Sequence, residues 1–270
     1  MKRIYLEISN KCNLNCPFCA YPKGNDFMDL NDINNYLDQI KLYCNYVYLH
    51  ILGEPLLHPD IEKILQLLDE KDMQLQLVTN GVLLNRHFDL IKHKCLRKLS
   101  VSVHSVNGLH ISPDYFITID KLISSDTKAI IDLRFYDEEN LSQDLKDYLN
   151  RLKSIYGFKQ TSRKDSYKLK ENVYVSFAEL FEWPDMKHEI ISEEGSCHGG
   201  IDMLAINVKG EVTLCCLDPL AYNSLGNLKE TAFKDIIESA EYKKICTDLK
   251  NHKINKELCK RCSYRLRFLS

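Results

Sequence analysis

The sequence lacks long apolar runs, strong net charge, internal repeats and low-complexity tracts. No stretch of its 270 residues nears the roughly 18 consecutive apolar residues that cross a bilayer, which excludes a helical membrane span. The formal net charge is -2, so there is no long-range attraction for nucleic acid or for an anionic membrane surface. The opening Met1-Lys2-Arg3-Ile4-Tyr5-Leu6-Glu7 passes directly into a strand-like alternation. It has neither the apolar core nor the small-residue cleavage site of a signal peptide, so a cytoplasmic location is the expectation. The remaining composition, 44% hydrophobic and 27% charged, suits a globular chain of one large domain, or one domain with a small annex.

Against that ordinary background stand eleven cysteines. An odd number, no export signal and a chain long enough to build a core without cross-links argue against disulfides. Clustered cysteines then read as metal ligands. The clusters lie toward the two ends of the chain, with only Cys44 and Cys95 between them.

From residue 1 to 178, short apolar runs alternate with helical patterns. Strands are predicted at Arg3–Ile8, Tyr46–Ile51, Met73–Thr79, Lys98–Val103, Ala129–Phe135 and Val173–Phe177. Leu30, Ile33, Leu37 and Ile40 share one face of the first crossover helix, for which Asp29 is the expected cap. Ile61, Ile64, Leu65 and Leu68 do the same in the second. Strand–helix alternation means parallel strands joined by right-handed crossovers. Six units fall short of a closed eight-unit barrel, so the fold class is α/β, a partial (β/α)6 TIM-like barrel, with function on the loops after the strands. Residues 159–172 read as a polar surface connection. The chain divides into 1–180 and 181–270. The second part holds a hairpin, Met203–Val208 and Glu211–Leu214 around Lys209-Gly210, then one helical stretch carrying Phe233, Ile236, Tyr242, Ile245 and Leu249.

Cys12, Cys16 and Cys19 follow the first strand as C-x3-C-x2-C. Three thiolates on one short loop can bind three irons of a [4Fe–4S] cube and leave the fourth open to a small chelating molecule. Zinc would want a fourth ligand nearby, and residues 1–30 offer no further cysteine or histidine. Here the sequence resembles the radical S-adenosylmethionine (SAM) enzymes, whose hallmark is this spacing. Phe18 matches the aromatic that precedes the third cysteine. Gly53-Glu54-Pro55 resembles the G-G-E-P motif, with Leu52 in place of its first glycine, and Thr79-Asn80-Gly81 resembles T-N-G. The resemblance implies SAM contacts at Phe18, Gly53, Glu54, Pro55, Thr79 and Asn80. Further contacts are expected from Ser102, His104 and Arg134 at later strand ends. It also implies cleavage of SAM to a 5′-deoxyadenosyl radical that takes a hydrogen from substrate, with electrons supplied by a flavodoxin or ferredoxin and sensitivity to oxygen.

The second set is Cys197, Cys215 at a Gly-x4-Cys spacing, and Cys259-x2-Cys262. By residue chemistry alone, four cysteines of this kind suit tetrahedral zinc. Beside the first set they resemble the twitch domain, a shortened SPASM domain that holds one auxiliary [4Fe–4S] cluster, as in the aminocyclitol dehydrogenase of butirosin biosynthesis. Cys44 and Cys95 are expected to pack. Cys216 and Cys246 are candidate hydrogen-atom donors. The leading reaction is two-electron oxidation of a small polar molecule. Alternatives are epimerisation with a cysteine donor, modification of a ribosomally made peptide, and a zinc-bearing interaction module without catalysis. Glu179, Glu182 and Asp218 are candidate partners for an amino or hydroxyl group of the substrate, and neither nucleic acid nor membrane is an expected partner.

Overall fold

In the computed structural model, which describes residues 1–268 apart from 20, 111 and 137, the expected alternation becomes two unlike faces of one sheet. Strand β1 (Arg3–Leu6) buries Ile4 and Leu6 completely, while Arg3 and Tyr5 turn the other way. The same division runs through β2 (Tyr46–Tyr48), β3 (Gln74–Thr79), β4 (Leu96–Ser102), β5 (Ile130–Tyr136) and β8 (Val173–Ala178). Val47, Leu75, Leu77, Leu99, Val101, Ile131, Leu133 and Val175 face the helices and are sealed from water. Those helices are α1 (Leu30–Lys41), α2 (Ile61–Glu70), α3 (Pro113–Ser124) and α4 (Gln143–Tyr156). Asp29 caps α1 by accepting from the Asn31 amide. The β3–β4 crossover carries only a 3-10 turn, Phe88–Lys92.

The opposite face lines the barrel lumen and is polar. Across it, Tyr46 donates to Gln76 at 3.4 Å, and Lys98 and Ser176 both reach Asp132, at 2.6 and 2.7 Å. Strands β1, β2, β3, β4, β5 and β8 are parallel in that spatial order, the six-unit partial barrel. No helix among the described residues is long and apolar enough to cross a membrane.

Two expectations need correction. Residues 159–172 are not a plain connection: β6 (Lys159–Gln160) and β7 (Ser166–Lys170) extend the sheet antiparallel beyond β8. Tyr167 and Leu169 alternate with Lys168 and Lys170 there, and lysines on an outlying strand discourage pairing with other chains. The helical stretch after 233 is broken into α5 (Phe233–Glu238) and α6 (Ala240–Lys250), because the Ser239 hydroxyl accepts from the Tyr242 amide and starts a new helix.

The C-terminal hairpin, β9 (Met203–Ile206) and β10 (Glu211–Thr213), joins the barrel sheet. β9 runs parallel to β1 with Tyr5 opposite Ala205, and β11 (Gly226–Asn227) closes that edge. Gly210 takes φ +89 in the hairpin turn, where a Cβ would meet Tyr36 and Asn227 at 2.8 Å. Glu7 fixes the junction. Its carboxylate, 2% exposed, accepts from the amide of Leu52 at 2.9 Å and of Val208 at 3.0 Å. Burial pushes its pKa up from 4.5 to about 7. Glu7→Gln turns an amide nitrogen toward one of these donors, and a buried group left unpaired costs about 1–3 kcal/mol. The variant is expected to unfold at lower urea. The folded state holds the Glu7 proton more tightly than the unfolded chain does. The wild type's stability advantage therefore shrinks as pH rises from about 4.5 to about 7, then levels off. Urea midpoints of both proteins across this range test it; a gap that widens with pH contradicts it.

Candidate active site

The loop after β1 is tied at its neck by Asn10. The Asn10 side chain accepts from the Asp26 amide at 2.8 Å and donates to the Asp26 carboxylate at 3.0 Å. Its carbonyl accepts from Gly24 at 3.2 Å, where any Cβ would strike the Asn10 side chain. Within the loop so closed, the Cys19 amide donates to the Cys16 carbonyl at 3.1 Å, a turn that brings Cys12, Cys16 and Cys19 to one cavity. Asn10 was not singled out from sequence; an asparagine before a cysteine loop has no distinctive spacing.

Gly53-Glu54 is the brace behind this loop. Gly53 has φ +73, and a Cβ there would lie 2.4 Å from the Ser9 carbonyl, so only glycine permits the approach. The Glu54 amide donates to the Lys11 carbonyl at 2.8 Å. The Glu54 carboxylate, 1% exposed, accepts from Leu56 N (3.0 Å), the Thr79 hydroxyl (2.8 Å) and Asn80 N (2.7 Å). Burial raises its pKa to about 6, against these three bonds. Glu54 thus locks the exits of β2 and β3 together. Asn80 carries the connection onward, donating to Asn13 at 2.8 Å and lying 3.9 Å from the Cys12 sulfur.

Phe18, His104 and Tyr136 form an aromatic recess. His104 and Tyr136 stack at 3.7 Å, and the Phe18 ring centre lies 5.3 Å from His104. Burial drops the His104 pKa to about 3, so the ring is neutral. Its Nδ1–H donates to the Arg134 carbonyl at 3.0 Å. Arg134 in turn donates to the Tyr136 hydroxyl at 3.0 Å. Tyr136 carries no sequence signal of its own, because its role comes from stacking on a ring 32 residues earlier in the chain. Ser102 ends β4 at the same cavity, and Pro55 is buried behind it in the first turn of a 3-10 helix.

The second cysteine set faces this cavity from the C-terminal side, and about 590 Å³ lies between the two. Cys197, Cys215, Cys259 and Cys262 all line it, Cys259 on the short helix α7 (Glu257–Lys260) and Cys262 just beyond its end. The thiols receive N–H bonds: Gly199 N to Cys197 at 3.3 Å, Asn223 Nδ2 to Cys259 at 3.6 Å, and backbone amides to Cys215 and Cys262. Behind them sits Arg265, 1% exposed, which donates to the carbonyls of Cys259 (3.0 Å), Glu194 (2.8 Å) and Ser192 (2.6 Å). The nearby acids Glu193 and Glu257 pair with Lys260 and Arg261 instead. A buried cation with only carbonyl partners suits a neighbour of net negative charge, which a four-thiolate cluster is.

Tetrahedral zinc would hold its thiolates about 3.8 Å apart, from Zn–S bonds of about 2.3 Å. Among the described residues, only Asp69, His93 and Cys95 bring three such ligand atoms within 4.8 Å of one another. Asp69 spends its carboxylate on His93 Nδ1 and the Cys95 amide, both at 2.7 Å, at the other end of the barrel. Cys44 and Cys95 are buried. Cys216 lines the cavity beside Tyr5. Cys246 is not among the lining residues; its thiol donates to the Gly200 carbonyl at 3.4 Å. Glu179 and Glu182 are exposed and outside the lining. Asp218 lines it, but its carboxylate is occupied by the amides of Tyr222 and Asn223.

These features define a class. Residues 6–128 match the Radical SAM superfamily, and residues 197–263 match SPASM, an iron–sulfur cluster-binding domain. The chain is a radical SAM protein with an auxiliary-cluster domain, and its cofactors are SAM on one [4Fe–4S] cluster and a second, auxiliary [4Fe–4S] cluster. GTP 3′,8-cyclase of Aquifex aeolicus (strain VF5) is 30% identical over 120 residues, 40% of this chain and 36% of that protein. An uncharacterised protein of Methanocaldococcus jannaschii is 33% identical over 120 residues, 42% of this chain and 41% of its own length. The chain thus spans well under half the length of these curated relatives. BtrN in complex with AdoMet and 2-DOIA superposes with a TM-score of 0.61 at 16% identity, over 97% of this chain and 92% of that one. SuiB of Streptococcus suis bound to S-adenosylmethionine gives 0.61 at 16%, over 96% and 71%. At such identities the likeness is one of fold.

Arg265→Leu removes the donors from three buried carbonyls, each worth about 1–3 kcal/mol when left unpaired. After anaerobic reconstitution, iron is expected to fall from about eight to about four per chain, with the first cluster retained. Full iron content at unchanged thermal stability would show that the guanidinium does not hold the auxiliary bed.

Proposed function

We propose that this chain uses SAM to remove a hydrogen atom from a small polar molecule and completes a two-electron oxidation of it. The observation that carries this reading is the single cavity, faced by Cys12, Cys16 and Cys19 on one side and by Cys197, Cys215, Cys259 and Cys262 on the other. When bound, the first cluster with SAM supplies hydrogen abstraction, and the second supplies an electron acceptor.

The protein's own residues supply position and exclusion. Glu54, Thr79 and Asn80 fix the cysteine loop against the strand ends. The Phe18–His104–Tyr136 recess offers flat apolar surface for an adenine, and the neutral His104 Nε2 offers it a hydrogen-bond acceptor. Arg134 is the candidate partner for the methionine carboxylate, by bidentate geometry. Trp183 and Phe181 stack in the cavity wall, and the Tyr21 hydroxyl donates to the Pro184 carbonyl at 2.5 Å, which fastens that wall to the cysteine loop. Shutting out water protects a reactive intermediate from side reactions.

Epimerisation is the second reading, favoured by Cys216, whose thiol faces the cavity. Peptide modification rests on SuiB, solved with its precursor peptide SuiA, and on nothing specific in this cavity.

Reconstituted protein is expected to bind about eight iron and eight sulfide, and to release 5′-deoxyadenosine from SAM under dithionite. About four iron with one zinc would sink the two-cluster reading. For a turned-over substrate, an oxidation yields a carbonyl with no solvent deuterium. Epimerisation adds one deuterium from heavy water and stops in Cys216→Ala.

A further inference from the structure

The lumen below the proposed SAM site holds two buried polar atoms without hydrogen-bond partners, Arg3 Nε and His50 Nδ1. Arg3 opens β1 and so lies at the far end of that strand from the cysteine loop. Its guanidinium hydrogen-bonds to the Tyr48 hydroxyl and lies near the Tyr5 hydroxyl and the Cys216 thiol, with Nε left over. His50 follows β2, with the Tyr5 ring at 5.7 Å and the Tyr48 ring at 5.9 Å. Its ring retains some surface toward the cavity, while Nδ1 is sealed from solvent. Burial and the nearby Arg134 keep this ring neutral, with its pKa lowered to about 3.

The cations that line the cavity are Arg3, Lys23, Arg134 and Arg265. Of these, Arg134 is assigned to the methionine carboxylate and Arg265 to the auxiliary cluster, which leaves Arg3 and Lys23 without an anion. The lining's only carboxylates among the described residues are Glu54 and Asp218, both already filled by backbone amides. An ammonium group would find no free carboxylate there, and would meet the Arg3 guanidinium. An anion would complete Arg3 and take hydrogen bonds from the neighbouring phenols.

We propose that Arg3, Tyr5, Tyr48 and His50 form a substrate-anchoring subsite, and that it takes an anionic group, a carboxylate or a phosphate. This rests on the radical SAM reading above and narrows it: the substrate is an acid or phosphate ester, not an amino sugar. Tyr5 and Cys216 stand beside the anchor, on the side of the cavity that carries the second cysteine set.

Equilibrium dialysis of the reconstituted, SAM-saturated protein tests it, with labelled inorganic phosphate, acetate and 1,3-diaminopropane as probes. Phosphate or acetate is expected to bind saturably, and whichever binds more tightly identifies the anion class. Arg3→Gln weakens that binding at least tenfold, Arg3→Lys by less, and the exposed Lys159→Gln leaves it unchanged. Binding of the diamine without either anion overturns the proposal. So does anion binding untouched by Arg3→Gln, which marks an adventitious ion only. A tenfold loss of SAM affinity in Arg3→Gln also overturns it, because the anion at Arg3 would then be the SAM carboxylate. Cleavage of SAM under dithionite is measured on the same samples: its absence in the wild type defeats the underlying reading, whereas cleavage without anion binding defeats the subsite alone.

Discussion

The Glu7 carboxylate is the point on which the two halves of the molecule depend. One oxygen holds the Leu52 amide, immediately before Gly53-Glu54; the other holds the Val208 amide, at the turn of the C-terminal hairpin. A buried carboxylate is expensive unless its lone pairs are filled. Glu7 is filled only when the barrel exit and the hairpin are both in place. The hairpin's position then sets where Cys215 stands relative to Cys12, Cys16 and Cys19. The facing of the two cysteine sets across one cavity is a consequence of sheet register, since β9 pairs with β1 residue for residue from Arg3 to Leu6.

The strand-end motifs act as braces as much as contacts. The Glu54 carboxylate accepts three hydrogen bonds within the protein, and Thr79 and Asn80 are two of its partners. These residues hold the loop backbone still whether or not a ligand is near. That division of labour is economical: a cysteine loop must hold an iron cluster in a fixed place, and a loop is stiff only where its backbone groups are tied down.

Much of this was legible in the sequence, for a physical reason. Period-two patterning such as Arg3-Ile4-Tyr5-Leu6 encodes both the strand and its two faces, and cysteine spacing encodes a loop that wraps a metal. All six barrel strands and the C-terminal hairpin follow from those signals. What stayed hidden depends on distant residues. Glu7, Asn10 and Arg265 are ordinary in sequence, and each acquires its role from a backbone group far along the chain or across a turn. The β6–β7 hairpin hid behind its lysines, and the α5–α6 break behind one serine that fits a helix interior as readily as a cap.

The polar lumen sharpens what the fold alone leaves open. A barrel closed for stability fills its interior with branched apolar side chains. This sheet does the reverse, placing Val, Leu and Ile toward the helices and Tyr, Gln, Ser, Arg and Asp toward the lumen. Some of these groups satisfy one another, as Lys98 and Ser176 do with Asp132. Arg3 Nε and His50 Nδ1 do not. Since unpaired buried polar atoms are costly, their persistence on one wall of the cavity argues for a ligand that completes them. The filled state of Glu54 and Asp218 argues that the completing charge is negative.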